Sequence, residues 1–198
     1  MMRGTLYIMS GPSGTGKGTI CAELVKIEKM YLSISSTTRE KRAGETDGVT
    51  YNYTTVESFE EMIKNGEMLE YAKYGDNYYG TPKKYIEEQL SNGVDVMLEI
   101  EPQGALQVKK IYPDAVMIFI LPPSMAELKR RLTDRGRENE EQINERLQNA
   151  KWEFSQAPFY NRIFINDNLD ECVESVRQFM HKTDGRLEFL NKLLNEEY

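Results

Sequence analysis

Apolar and polar positions along this chain recur with two different periods. Short apolar runs of strand length occur at Thr5–Met9, Val94–Ile100 (VDVMLEI), Ala115–Leu121 (AVMIFIL) and Arg162–Ile165 (RIFI). Between them lie longer stretches with an apolar face at helical spacing: about Gly16 to Lys29, Gln103–Ile111, Ser124–Asp134, Glu140–Phe154 and Leu169–His181. Ser124 and Glu127 have the spacing of a capping box at the start of one of these helices. Strands that alternate with helices in this way predict an α/β fold, a parallel sheet wrapped by helices.

Residues Ser33 to Thr81 break the rhythm. They are rich in Thr, Tyr, Gly and charge, with strand-like pieces at Gly48–Tyr53 and Gly66–Tyr74. A short helix, Val56–Lys64, is expected between them, capped by Thr54 and Glu57 and ended by Gly66. The segment reads as an inserted α+β lobe. Thr81-Pro82 then opens a new helix, with proline in its first turn and Gly93 past its end. In the tail, Leu187, Leu190, Leu193 and Leu194 fall at helical spacing. A helix packed on the core is the plain reading, and a dimer contact is the alternative.

Composition narrows the function classes. The chain has 198 residues, 39% of them hydrophobic, enough for one domain with a substantial core. A net charge of −7 argues against binding a nucleic acid polymer through bulk charge. Two distant cysteines, Cys21 and Cys172, read as packed, reduced thiols of a cytoplasmic protein, and with one histidine, His181, they offer no zinc site. No secretory signal is visible, and no apolar run approaches the roughly 20 residues of a membrane span.

The most specific local signal is "GPSGTGKGT", Gly11 to Thr19, which follows a predicted strand and opens a predicted helix. In that setting glycines let successive backbone N–H groups converge on phosphate oxygens, the helix N-terminus adds partial positive charge, and Lys17 reaches the outer phosphates. The residue after the lysine is Gly18, where such loops commonly present a hydroxyl to a metal ion. Phosphate binding survives that change, because Thr19 still offers a hydroxyl; metal coordination must shift to water and to nucleotide oxygens.

Two further stretches carry chemistry. "SISSTTREKRAGETDGVTYNY" places Arg39 and Arg42 near Ser35, Ser36, Thr37, Thr38 and Tyr51. Two guanidinium forks with hydroxyls and a phenol suit a phosphate monoester, although a solvated loop would look similar. In "GEMLEYAKYGDNYYGTP", Glu70 lies among apolar and aromatic neighbours. It is either a carboxylate for paired N–H donors of a base or an ordinary surface group on a strand. "ELKRRLTDRGRENEEQINERL" clusters Arg130, Arg131, Arg135, Arg137 and Arg146 around Gly136. Part of that set, Arg130 and Arg137, reads as an exposed charged helix.

Together these stretches resemble the guanylate kinases, with "LEIEPQGA", "ILPPS" and "FINDNLD" in the family's order. The resemblance implies ATP-dependent phosphorylation of GMP, and of dGMP, on one domain, 1–198. Its core would comprise 1–32, 82–125 and 157–198, with a GMP-binding lobe at 33–81 and a lid at 126–156. It implies that Gly11, Pro12, Ser13, Gly14, Thr15, Gly16, Lys17, Gly18 and Thr19 hold ATP, with Asn166 near the adenine. Arg39, Arg42, Tyr51 and Tyr79 would hold the GMP phosphate, Glu70 the guanine N–H groups, and Ser35 and Thr81 would add polar contacts. Of Glu99 and Glu101, one would contact the guanine side and the other order the water shell of Mg²⁺. The family writes aspartate at the second position, so Glu101 keeps the charge on a longer arm. Arg131, Arg135 and Arg146 would close over the ATP phosphates and, with Lys17 and Arg39, serve catalysis. The alternatives are a non-catalytic binding module of the same fold and a related kinase with a sugar-phosphate acceptor. The intact loop lysine disfavours the first, and Glu70 with the tyrosines disfavours the second.

Overall fold

The computed structural model describes residues 3–136 and 139–194. β1 (Leu6–Ser10) leads through the glycine loop into α1 (Lys17–Glu28), and β2 (Tyr31–Leu32) follows. The chain then departs into β3 (Ser36–Thr37), β4 (Asn52–Tyr53), α2 (Val56–Lys64), β5 (Met68–Tyr74) and β6 (Asn77–Pro82). It returns with α3 (Lys83–Ser91), β7 (Val96–Glu99), α4 (Pro102–Ile111) and β8 (Val116–Leu121). The remaining elements are α5 (Met125–Asp134), α6 (Glu140–Ser155), a 3-10 turn at Ala157–Phe159, β9 (Arg162–Ile165) and α7 (Leu169–Leu194).

The main sheet has the order β2-β7-β1-β8-β9, and every neighbouring pair in it is parallel. Its central strands are apolar on both faces because helices cover both. Leu6 and Ile8 of β1 join Met117 and Phe119 of β8 in one cluster with Ile86, Leu90 and Val108 of α3 and α4. Tyr7 and Met9 join Ile118 and Ile120 in the opposite cluster with Ile20, Leu24, Val173 and Val176 of α1 and α7. Both cysteines are free and buried in this second cluster. A smaller cluster, Leu128, Leu132, Ile143 and Ala150, binds α5 to α6. Among the described residues no helix is long and apolar enough to cross a membrane.

The inserted segment forms a separate sheet of order β4-β3-β6-β5. β5 and β6 pair antiparallel, with Tyr74 opposite Asn77 across the two-residue turn Gly75-Asp76. β6 is absent from the sequence reading, although a Gly-Asp pair between tyrosine-rich runs is a hairpin signal. The expected strand over Gly48–Tyr53 shortens to Asn52–Tyr53, because Gly48 (φ 71) turns the chain and Gly48 N–H donates to Tyr51 O at 2.9 Å.

Several helix starts differ from expectation by local chemistry. α2 is capped by Thr55, not Thr54: Thr55 Oγ1 accepts Ser58 N–H at 3.2 Å. Pro82 ends β6 and sits at the N-cap of α3 with extended backbone (ψ 131), instead of occupying the first turn. Ser124 caps α5 as expected, accepting Glu127 N–H at 3.1 Å, but the Glu127 carboxylate turns to Arg130 and Arg131 instead of completing the box. The reciprocal box is made by Asn139 and Gln142 at the start of α6. α7 runs on past His181 to Leu194; the side chains of Leu187, Leu190, Leu193 and Leu194 lie outside the described residues, as does Arg137.

Candidate active site

The glycine loop needs its glycines for backbone reasons. Gly11, Gly14 and Gly16 have φ of 138, 94 and 92, a region closed to most residues with a side chain. Packing adds a second reason, since a Cβ on Gly16 would meet Asn166 Nδ2 at 2.3 Å. Gly16 caps α1, so Lys17, Gly18 and Thr19 form its first turn. Lys17 is buried, and its Nζ donates to Gly11 O (2.6 Å) and Pro12 O (2.9 Å), which holds the ammonium inside the loop. Thr15 Oγ1 is committed to Pro12 O at 2.9 Å. Asn166 is buried and braces the loop from β9's end, its Nδ2 donating to Thr15 O at 2.8 Å. Its carbonyl accepts Arg131 Nη2 at 2.9 Å.

A cavity of about 730 Å³ opens beside this loop. Ser13 and Gly18 line it from the loop, and Glu99 and Glu101 from the end of β7. Ser35, Arg39, Arg42, Tyr51, Glu70 and Tyr79 line it from the inserted lobe, and Arg135 and Arg146 from the α5–α6 segment. The fold thus gathers residues more than a hundred positions apart around one space. Around that lining, Lys17 and Asn166 bond the loop, Thr81 bonds Glu70, and Arg131 bonds the backbone carbonyl of Asn166. Arg130 is exposed and paired with Glu127 and Asp134.

Glu45, missed by the sequence reading, organises the lobe's arginines. Its carboxylate accepts both bonds of Arg39 Nη2 (2.8 and 3.0 Å), Arg42 N–H (2.8 Å) and Tyr53 Oη (2.8 Å). The Arg39 bond, then the Arg42 N–H and Tyr53 hydroxyl, hold this carboxyl down at about 2. Arg39 also lies 5.7 Å from the Tyr51 ring centroid, within cation–π range.

Glu70 is 6% exposed, on β5 facing α4. Thr81 Oγ1, across the β5–β6 ladder, donates to its Oε1 at 2.5 Å. Burial pushes the carboxyl up to about 7 despite that bond, with Glu101 adding to the rise. Glu153, on α6, was also missed by the sequence. It lines the same cavity, its Oε2 is buried without a hydrogen-bond partner, and burial and Glu101 raise it to about 7 against the pull of Lys17 and Arg146.

These two carboxyls make stability depend on pH. Between about 4.5 and about 7 the unfolded chain ionises them while the folded protein keeps them protonated. Their contribution is therefore fully present below about pH 4.5 and lost as pH rises through 7. For nucleotide-free protein, Glu70→Gln is expected to flatten the fall in Tm between pH 5 and 7.5, measured by differential scanning fluorimetry; an unchanged slope would remove Glu70 as a source.

Comparison with known proteins bears on this geometry. The guanylate kinase family model matches residues 3–183. The guanylate kinase of Oceanobacillus iheyensis is 51% identical over 88% of this chain and 85% of its own length. That of Streptococcus mutans is 47% identical over 98% and 96%. The crystal structure of guanylate kinase from Anaplasma phagocytophilum superposes with a TM-score of 0.77 at 29% identity, covering 100% of this chain and 98% of the other.

Proposed function

The chain belongs to the guanylate kinase family, and we propose that its cleft holds ATP on the glycine loop and GMP on the inserted lobe for direct transfer between them. The reaction is ATP-dependent phosphorylation of GMP to GDP. The observation that carries the assignment of residues is the shared cavity, lined at once by the phosphate loop, by four arginines and by buried Glu70.

The chemistry needs charge cancellation more than a base. The attacking group is a phosphate oxygen, largely ionised at neutral pH because its second pKa is about 6. The barrier lies in bringing two anions together and in the charge that spreads over the transferring group. Lys17, released from the Gly11 and Pro12 carbonyls, would move to the outer phosphates of ATP. Arg39, Arg42, Tyr51 and Tyr79 would fix the acceptor phosphate, and Arg135 and Arg146 would close from the other side. Arg131, which donates to the Asn166 backbone carbonyl in the free protein, would close with them over the ATP phosphates. Closure of the lobe, 33–81, and the lid, 126–156, onto the core would exclude water, which otherwise competes as acceptor.

Magnesium fits this cleft through Glu99. Gly18 has no hydroxyl, and a Cβ built there would meet the Glu99 carboxylate oxygens at 3.2 and 3.3 Å. A hard carboxylate beside the phosphate loop suits the water shell of Mg²⁺, which keeps several waters and prefers oxygen ligands. The ion's contribution when bound is to neutralise charge on the nucleotide's phosphate oxygens.

An assay of ADP formation with GMP, dGMP, AMP and a ribose bisphosphate tests the assignment. Turnover is expected with GMP, and with dGMP, and only at background with the other two. No turnover with GMP would overturn it. Glu45→Gln is expected to raise the KM for GMP by about tenfold with little change for ATP, because the charge-assisted bonds that aim Arg39 weaken; steady-state kinetics in both substrates measures this.

A further inference from the structure

Gly104 has no backbone reason to be glycine. It is the third residue of α4, and its φ is not among the positive values in this chain. A glycine inside a helix destabilises it relative to alanine, so the position works against its own element. The reason is space. A Cβ on Gly104 would stand 2.4 Å from Glu70 Oε2, 3.0 Å from its Cδ and 3.3 Å from its Cγ.

Glu70 has little room to yield. Its other oxygen is held by Thr81, which is fully buried. The relative position of α4 and β5 is itself fastened one turn along from Gly104. Gln107 Nε2 donates to Tyr71 O at 3.1 Å while Tyr71 N–H donates to Gln107 Oε1 at 3.4 Å, gripping the residue next to Glu70. The core helix and the lobe strand therefore meet at a paired amide, with the carboxylate seated on a bare Cα beside it.

We infer that Gly104, with Gln107 as its brace, is a positioning residue for base specificity, setting the Glu70 carboxylate in the one orientation that meets a guanine edge. This rests on the reading of Glu70 as the acceptor of the guanine N–H groups. The discriminating probe is inosine monophosphate, which lacks the 2-amino donor of GMP and is otherwise the same size or smaller. A displaced Glu70 loses its preference for the two-donor edge, whereas a general packing defect weakens both nucleotides alike.

The test is Gly104→Ala in the full chain, in wild-type and Glu70→Gln backgrounds, with kcat and KM for GMP, inosine monophosphate and ATP. In the wild-type background the KM for GMP is expected to rise about 30-fold and the GMP to inosine monophosphate ratio of kcat/KM to fall about tenfold. ATP KM should hold within a factor of about three. In the Glu70→Gln background Gly104→Ala should leave that ratio unchanged. An equal fall in both backgrounds, or no fall in the wild-type background, overturns the inference. If Glu70→Gln alone leaves the ratio untouched, the base-reading role itself has failed, a separately visible result that takes this inference with it. Gln107→Ala, which adds no atoms, serves if Gly104→Ala does not fold. It is expected to lower the ratio by about threefold, and an unchanged ratio counts against the brace.

Discussion

Replacing Glu70 with glutamine is expected to raise the KM for GMP about 100-fold and to leave the KM for ATP within a factor of about three. The substitution preserves shape, so the seat on Gly104 and the contact with Thr81 remain filled. It removes the charge and turns one acceptor into a donor. A guanine edge presents two donors there, so one N–H group faces another and a buried polar group is left unpaired. Charge-assisted hydrogen bonds contribute about 1.5–3 kcal/mol each, and loss of roughly 2.7 kcal/mol corresponds to about 100-fold in affinity. The phosphate loop, on the other side of the cavity, shares no hydrogen bond with Glu70. Steady-state kinetics with each substrate varied in turn decides it. Equal losses for GMP and ATP would show that Glu70 supports the fold and does not read the base.

The second large effect is expected from Lys17→Met. The kcat should fall by about a hundredfold to a thousandfold, with the KM for ATP changing far less. Lys17 is the buried cation of the loop, and the side chains of Arg135 and Arg146 remain to bind nucleotide phosphates. An ammonium fixed in a low-dielectric cleft supports charge that develops during transfer, and loss of one such donor costs about 3–4 kcal/mol of barrier. In the free protein the same substitution takes the ammonium from Gly11 O, while Pro12 O keeps the Thr15 hydroxyl, costing about 1–3 kcal/mol of stability. Single-turnover measurements at saturating ATP separate the two losses. A kcat within tenfold of wild type would remove Lys17 from the chemical step.

The sequence disclosed those parts of the fold that are locally determined. The loop glycines are legible because positive φ at Gly11, Gly14 and Gly16 is a property of the backbone itself. β1, β7 and β8 are legible because a strand buried on both faces is apolar throughout. β2 was not, since two residues, Tyr31–Leu32, cannot show a period; it exists because Tyr31 and Leu32 pair with Val96 and Met97. The same divide runs through the site. Arg39 and Arg42 stand out by charge and spacing, but Glu45 gains its meaning only when the loop folds back and brings Arg39 and Tyr53 to one carboxylate. Glu153 sits in a charged helix and looks solvated in sequence; its burial comes from the cavity wall. Gly104 is the clearest case, because the atom that forbids a side chain there belongs to β5, over thirty residues earlier.

On the proposed function, one space receives both nucleotides, with the phosphate loop and the lobe arginines cancelling their mutual repulsion. The most direct measurement uses a bisubstrate ligand, adenosine and guanosine joined 5′ to 5′ through a polyphosphate chain, titrated into the protein by calorimetry. One molecule is expected to bind per chain, tighter than either nucleotide alone, in competition with both ATP and GMP, and about 100-fold weaker on Glu70→Gln. Competition with only one of the two nucleotides, or two molecules bound per chain, would rule out a shared space.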